Sequence, residues 1–319
     1  MSAYVVRRIF LIIPTLFLVT VIVFMVVRLI PGDVIDNMLS TMAVESDLGE
    51  VDREYLEHQL GLDKPIYIQY GVWVVGVFKG DLGESLWSQR DVAKQLLNRL
   101  PVSFELGLMA MIFGMLIAIP IGIISAIRQD SIGDYAGRTV AITFLSLPNF
   151  WVATMVIVFP SIWWNWTPPL QYIKFTDNPI GNIGQFAIPG IIMGLNMSGR
   201  IMRMTRTMML EVLRQDYIRT AWAKGLRERV VVLVHGMRNA LIPIVTLIGM
   251  IMPVMIMGGV ILESIFNLPG IGSKLVNAIN ERDYPFISGI NLILATFILF
   301  VNLIVDLTYS FLDPRIRYR

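Results

Sequence analysis

The chain has 319 residues, of which 55% are hydrophobic and 16% charged, with a formal net charge of +2 and a mean hydropathy of +0.66. A soluble domain carries about 45–50% apolar and about 25% charged residues, so the apolar excess exceeds what one water-exposed globule can bury, and lipid is expected to solvate much of the chain. The near balance of 26 basic and 24 acidic residues excludes nucleic-acid binding through bulk charge. The absence of cysteine removes disulfide frameworks, thiolate nucleophiles and cysteine-based zinc sites, and the two histidines, His58 and His235, lie too far apart for paired-ligand spacing.

A helix needs about 20 mostly apolar residues to cross the hydrocarbon core. Six stretches meet or approach that length, which predicts an all-α polytopic membrane protein with six transmembrane helices. The first covers residues 9–30, and its one charge, Arg28, is near enough to the end to snorkel to the headgroups. It is too long for the apolar region of a cleaved signal and no small-x-small site follows, so a retained helix ending at a Pro31-Gly32-Asp33 turn is expected. The second span runs over about 101–127, the third over 139–164, the fifth over 240–266 and the sixth over 286–312. The fourth is the weakest. Its apolar part, 184–199, runs straight into Arg200, which predicts a helix continuing past the bilayer.

Orientation follows from the basic residues. Segment 31–100 holds six basic and twelve acidic residues, a net of −6, whereas 200–238 holds nine basic and three acidic residues, a net of +6. The Arg7-Arg8 pair, the Arg128 and Arg138 linker and the tail arginines Arg315, Arg317 and Arg319 are also positive. With six spans, every basic cluster falls on one side and both termini are cytoplasmic. The expected organisation is 1–30 for the first span, 31–100 for an extracytoplasmic loop with short helices, 101–312 for a core containing a cytoplasmic loop at 200–240, and 313–319 for a tail. Trp73, Trp87, Trp163, Trp164 and Trp166 lie near the outer side, where indoles suit the headgroup level.

The polar segments carry the functional signal. In 51–80, apolar positions at helical period with Gly/Pro punctuation predict short helices. The acidic balance of this outer segment fits either a docking surface or a loop that merely tolerates acid. On the inner side, Arg200, Arg203 and Arg206 at i, i+3, i+6 share a helical face and mark the exit from the bilayer. Asp216 is placed to cap a short helix, Ala221 and Ala223 allow close packing, and Gly225 suits a left-handed cap. Pro243 marks the entry to the fifth span. A short amphipathic helix along the inner surface is expected, either a membrane anchor or a docking element.

Arg219-Thr220-Ala221, then Gly225, then Asn239-Ala240-Leu241-Ile242-Pro243 resembles the EAA loop of ABC importer permeases, and DYIRTAWAKGL (216–226) is most similar to the dipeptide/oligopeptide branch. GDLGES (80–85), RLP and its following Glu-containing run (99–106), FNLPGIG (266–272), RDYP (282–285) and DLTYSFLDPRIR (306–317) occur in the order that branch has, so the resemblance spans nearly the whole chain. The triplet begins with Arg219 where the loop has glutamate, so no glutamate role carries over. The resemblance implies a type I ABC importer permease fold in the inner membrane of a prokaryote. It also implies a coupling helix formed by Asp216, Tyr217, Arg219, Thr220, Ala221, Ala223, Lys224 and Gly225, resting on a cytosolic ATPase subunit. The implied partners are a second permease subunit, favoured as a paralogue, two ATPase subunits carrying ATP and Mg, and an extracytoplasmic substrate-binding protein. The chain itself is expected to bind no cofactor.

A phosphate-binding loop needs G-x-x-x-x-G-K-[ST], whereas Pro269-Gly270-Ile271-Gly272-Ser273-Lys274 reverses the final pair, so ATP hydrolysis is assigned to partners and the chain is expected to be no enzyme. A secondary transporter would need ionisable groups near the bilayer midplane, but Glu105 is near the start of the second span, Glu263 near the end of the fifth and Asp306 in the inner half of the sixth, none clearly at the centre, and Asn302 with Asp306 at i, i+4 suits interhelical hydrogen bonding. No G-x-S-x-G or H-E-x-x-H motif supports an intramembrane hydrolase. The family carries di- and oligopeptides, and relatives carry nickel chelates, glutathione or oligosaccharides. Ser146, Asn149, Asn196 and Ser198 are candidates for the translocation path, with helix packing as the alternative role for each.

Overall fold

The computed structural model describes residues 2–29, 35, 53–59 and 61–312. The Pro31-Gly32-Asp33 turn and the 313–319 tail lie outside these residues. Among the described residues the chain is helical throughout, with one isolated antiparallel bridge, Glu84 to Asp91, and no strand. The helices are α1 (Ser2–Arg28), α2 (Arg53–Gln59), α3 (Ile66–Lys79), α4 (Val92–Ile127), α5 (Ile132–Ser146), α6 (Asn149–Trp164), α7 (Pro179–Leu213) and α8 (Asp216–Ala223). After the single turn Glu228–Val230 and a π-helical segment, Val231–Gly236, come α9 (Met237–Gly258), α10 (Val260–Ile265), α11 (Ile271–Glu281) and α12 (Tyr284–Leu312).

Among the described residues, four helical stretches are long and apolar enough to cross a membrane: Phe10–Arg28, Val92–Ile127, Glu228–Pro253 and Tyr284–Val305. The expected third span is not one helix. It is α5 and α6, which meet at 94° across Leu147-Pro148, a pair that makes a fifth span if counted together. Proline fixes its own φ and pushes the preceding residue out of the helical region, and Leu147 accordingly has φ −84° and ψ 127°. The fourth expected span, α7, is one continuous helix of 35 residues that runs on through Arg200, Arg203 and Arg206, as its sequence suggested. It falls short of the apolar threshold because glycines, Asn182 and Gln185 dilute its first half.

The chain divides into two compact units. The first comprises Met1–Val5, Val102–Pro269 and Phe300–Arg319. In it α7 packs along α5 and α9, and α10 against α6. Its core is rich in methionine and alanine: Met193, Met197, Met202 and Met209 of α7 with Leu106, Ala110 and Ala118 of α4 are all buried. Alanine and glycine permit close backbone approach where lipid supplies no hydrophobic drive between helices, and methionine fills the irregular gaps that remain.

The second unit comprises Val6–Pro101 and Gly270–Leu299. The 80–91 loop is fastened here by a buried carboxylate: Asp283 Oδ2 accepts from Ser85 Oγ at 2.6 Å and Oδ1 from the Leu86 amide at 3.3 Å. Trp87 adds an indole bond to the Glu281 carbonyl at 2.7 Å. Aromatic contacts join α1 to α3: Phe24 lies 5.4 Å from Tyr70 and 5.8 Å from Trp73, and the Thr20 and Tyr70 hydroxyls are 2.9 Å apart.

Candidate functional site

The amphipathic α8 is built from DYIRTAWA, with one face facing its own chain. Ile218 and Ala221 are buried against Val231, with Val212 and Leu213 packed on the same cluster. Burying a side chain the size of isoleucine contributes about 1.5–3 kcal/mol, so this face fixes α8 to the end of α7 and the π-helical segment. Tyr217 adds a lateral tie: its hydroxyl accepts from Asn239 Nδ2 at 2.6 Å and lies 3.5 Å from the His235 carbonyl. The other face, with Tyr217, Arg219, Thr220, Trp222, Ala223 and Lys224, is exposed.

Both ends of α8 are defined by backbone chemistry. The cap residue is Gln215, without a side-chain bond; Asp216, expected to cap, is instead the first helical residue. There its carboxylate favours the positive end of the helix dipole and pairs with Arg219 at 3.3 Å, a solvent-exposed contact of little energetic weight. At the other end Gly225 has φ +76°. Its amide donates to Trp222 at 2.8 Å and the Leu226 amide to Ala221 at 3.4 Å, the paired bonds of a glycine-terminated helix stop. The small residues therefore part company: Ala221 packs inward and Ala223 faces out. Pro243, expected at the entry to the next span, lies inside α9, because the helix has already formed through the π-helical segment upstream.

Elsewhere in the first unit is a polar cluster that the spacing of the arginines did not reveal. Arg200 and Arg203 are exposed, whereas Arg206 turns inward. Its Nη2 meets Asp134 Oδ2 at 2.8 Å, and its Nε reaches Asp134 Oδ1 at 3.0 Å and Ser125 Oγ at 3.1 Å. Asp134 is fully buried, bonds Ser125 and accepts from the Asp130 amide at 3.1 Å. The bidentate pair joins the end of α4, the start of α5 and the outgoing part of α7. Its only sequence trace was an acidic residue in a linker otherwise read for its arginines.

The path candidates separate into two groups. Ser146 and Asn149 flank the α5–α6 break, and Asn196 Nδ2 donates to the Phe144 carbonyl at 3.3 Å on the same side of it. Ser146 spends its hydroxyl on the Ile142 carbonyl at 2.9 Å. Ser198 is buried elsewhere on α7 and bonds Leu195 O at 2.7 Å. Of the acids weighed for ion coupling, Glu263 is buried and accepts from Ser103 Oγ at 2.6 Å. The Lys274 ammonium of the glycine-rich turn is occupied by the Phe286 ring, 4.5 Å away, and by Glu281 at 3.5 Å.

A helical membrane protein with a short, glycine-stopped helix outside its spans fits the arrangement that the resemblance to ABC importer permeases implied. In agreement, the chain superposes with a TM-score of 0.54 on a subunit from the inward-facing structure of the MetNI methionine ABC transporter, at 14% identity over 68% of this chain and 96% of that one. The family model "Binding-protein-dependent transport system inner membrane component" matches residues 118–318, and "Binding-prot-dependent transport system membrane comp, N-term" matches residues 1–107. The chain is similar over its full length, and that of each relative, to the dipeptide transport system permease protein DppB of Escherichia coli K12, at 39% identity, and to the di/tripeptide transport system permease protein DppB of Pseudomonas aeruginosa, at 38%. It belongs to the family of binding-protein-dependent transport system inner membrane components, and has the type I ABC importer permease fold. It is therefore a transport subunit of the inner membrane and not an enzyme; the family implies ATPase and binding-protein partners, with ATP used by those ATPases.

Proposed function

We propose that the chain forms half of a translocation pathway for di- or oligopeptides, and that α8 is the element through which cytosolic ATPase subunits drive it. Six spans with both termini cytoplasmic, α7 and the bent α5–α6 pair each counted once, put α8 and every basic cluster on the ATPase side. The pathway is completed by a second permease subunit, a paralogue of this one, above two ATPase subunits that hold ATP and Mg. A separate extracytoplasmic binding protein delivers substrate. The names of the full-length relatives favour peptides over nickel chelates, glutathione or oligosaccharides.

The observation that carries the reading is the division of labour on α8. Ile218 and Ala221 fasten it to its own chain, Tyr217 ties it to Asn239 of α9, and Trp222 and Ala223 stand exposed. A load applied to the exposed face is thus transmitted to α7 and α9 as rigid-body motion. Arg219, Thr220, Lys224 and Asp216 set the register of docking more than its affinity. Ser146, Asn149 and Asn196 at the α5–α6 break are the polar groups proposed to face the pathway; Ser198 supports helix packing beside them. The test is Trp222→Ala in the reconstituted importer. The reading expects ATP hydrolysis to persist while peptide transported per ATP falls; unchanged transport per ATP would contradict it. Co-purification in native detergent should recover a permease paralogue and the ATPase subunits with this chain.

A further inference from the structure

The second unit contains a cavity of about 300 Å³, none of whose lining residues is among the proposed path or coupling residues. Its walls come from the end of α1, one face of α3, the 80–86 loop and the start of α12. On α3 the lining positions are Gln69, Val72, Trp73 and Gly76, at i, i+3, i+4 and i+7, so the cavity follows a single helical stripe. The groups on this wall are chemically incomplete. Gln69 Nε2 donates to Lys64 O at 2.6 Å and Leu62 O at 3.2 Å, yet among the described residues its Oε1 has no partner, and neither has the indole Nε1 of Trp73 one turn on. Buried polar atoms are paired in about nine cases of ten, so a donor and an acceptor left without partners just behind one wall are groups that a small side-chain movement brings to a ligand in the cavity.

Charge and hydrophobicity define that ligand. Arg28 projects its guanidinium between the rings of Phe24 and Tyr284, 5.4 Å from each centroid, and among the described residues no carboxylate pairs with it. Lys64, an exposed lining residue, is a second cation, and Asp81 is an acid on the lining whose Oδ1 already accepts from the Gly83 amide at 2.8 Å. Val72 lines the cavity and is also 66% exposed, and Val75 and Phe78 of α3 and Met25 near the end of α1 are likewise exposed apolar side chains. At 14 residues α3 is too short to span a bilayer, but its apolar exposed face suits the interfacial layer.

We propose that this cavity binds one membrane phospholipid. Arg28 and Lys64 hold the phosphodiester, the Trp73 N–H completes its bonding directly or through water, and the acyl chains leave over Val72 into the bilayer. An arginine fork and an indole donor at headgroup depth suit a phosphate oxygen, and a phosphate flanked by hydrocarbon suits this wall where a free anion does not. The proposal rests on the inner-membrane location and not on the peptide reading, so either can fail alone.

Native mass spectrometry of the full chain in neutral detergent tests it, with phosphatidylglycerol, phosphatidylethanolamine, diacylglycerol and glycerol 3-phosphate as separate probes. One phospholipid of either headgroup should survive activation that strips the remainder. Lys64→Gln, at the exposed rim where folding is not at stake, should cut that retention several-fold, and Arg28→Gln further. Trp73→Phe should give an intermediate loss, and Lys94→Gln, outside the cavity, none. Retention unaffected by Lys64→Gln and Arg28→Gln, equal retention of diacylglycerol, or equal binding of glycerol 3-phosphate would overturn the proposal.

Discussion

Gly225 adopts φ +76° in open space: a Cβ built on it meets nothing within 4 Å. A substitution there therefore acts through backbone strain and not through a clash. A β-branched residue in the left-handed region costs about 1–2 kcal/mol, paid at the end of an eight-residue helix. Gly225→Val should leave the melting temperature of the complex nearly unchanged while lowering transport per ATP hydrolysed, and Gly225→Asn, which tolerates this conformation, should retain more of it. Paired measurements of ATPase rate and peptide uptake check both. The Asp134–Arg206 pair behaves differently because it is buried. Removing one partner leaves an uncompensated charge and costs about 3–5 kcal/mol, so Arg206→Met alone should lower the melting temperature sharply. The double change Asp134→Leu with Arg206→Met should recover most of that loss.

Asp283 supplies a pH test. Burial is the largest influence on it and pushes its carboxyl above the ordinary carboxylate value, against the lowering effect of the Ser85 hydroxyl bond. A raised folded value means that the folded state holds the proton more tightly. The contribution of Asp283 to stability is then full below the ordinary value near 3.8 and is lost as pH rises through the folded value. The melting difference between wild type and Asp283→Asn should therefore shift in favour of the asparagine variant as pH rises from the acid range to neutrality. A constant difference across that range would contradict the assignment.

At the scale of elements, α4 and α7 meet at backbone contact. A Cβ on Gly194 would lie 2.6 Å from the Ala110 carbonyl oxygen and 3.0 Å from the Gly114 amide nitrogen. Gly194→Val must push the helices apart, an overpacking cost of about 1–3 kcal/mol, and should lower the melting temperature with no direct effect on α8. Elements were legible in the sequence where one physical rule governs them. Apolar length gave the long helices, and the Gly225 stop followed from the need for a left-handed residue. Legibility failed where tertiary partners decide. Nothing local tells that Arg206 finds Asp134 while Arg203 stays in solvent, or that Ala221 turns inward and Ala223 outward. The 94° bend at Pro148 is local chemistry, but apolar content on both sides concealed it. Asp216 satisfied the capping rule by residue type, whereas Gln215 occupies the position by backbone geometry.

At the scale of the molecule, the chain has spans, a polar break and a stiff external helix, but the glycine-rich turn at 269–274 lacks the order of a nucleotide loop and its lysine is engaged within the chain. The family implies that the energy comes from ATPase partners. Liposomes containing this chain alone should show no peptide uptake under a pH gradient, and uptake should appear only with the companion subunits and ATP. The proposed point of entry is the exposed side of α8, and the lack of native cysteine allows it to be probed at one atom. A single cysteine at position 223, carrying a short crosslinker in the assembled importer, should join a nucleotide-hydrolysing subunit, while one at the buried position 221 should not. Crosslinks from position 223 to phospholipid alone would contradict the account.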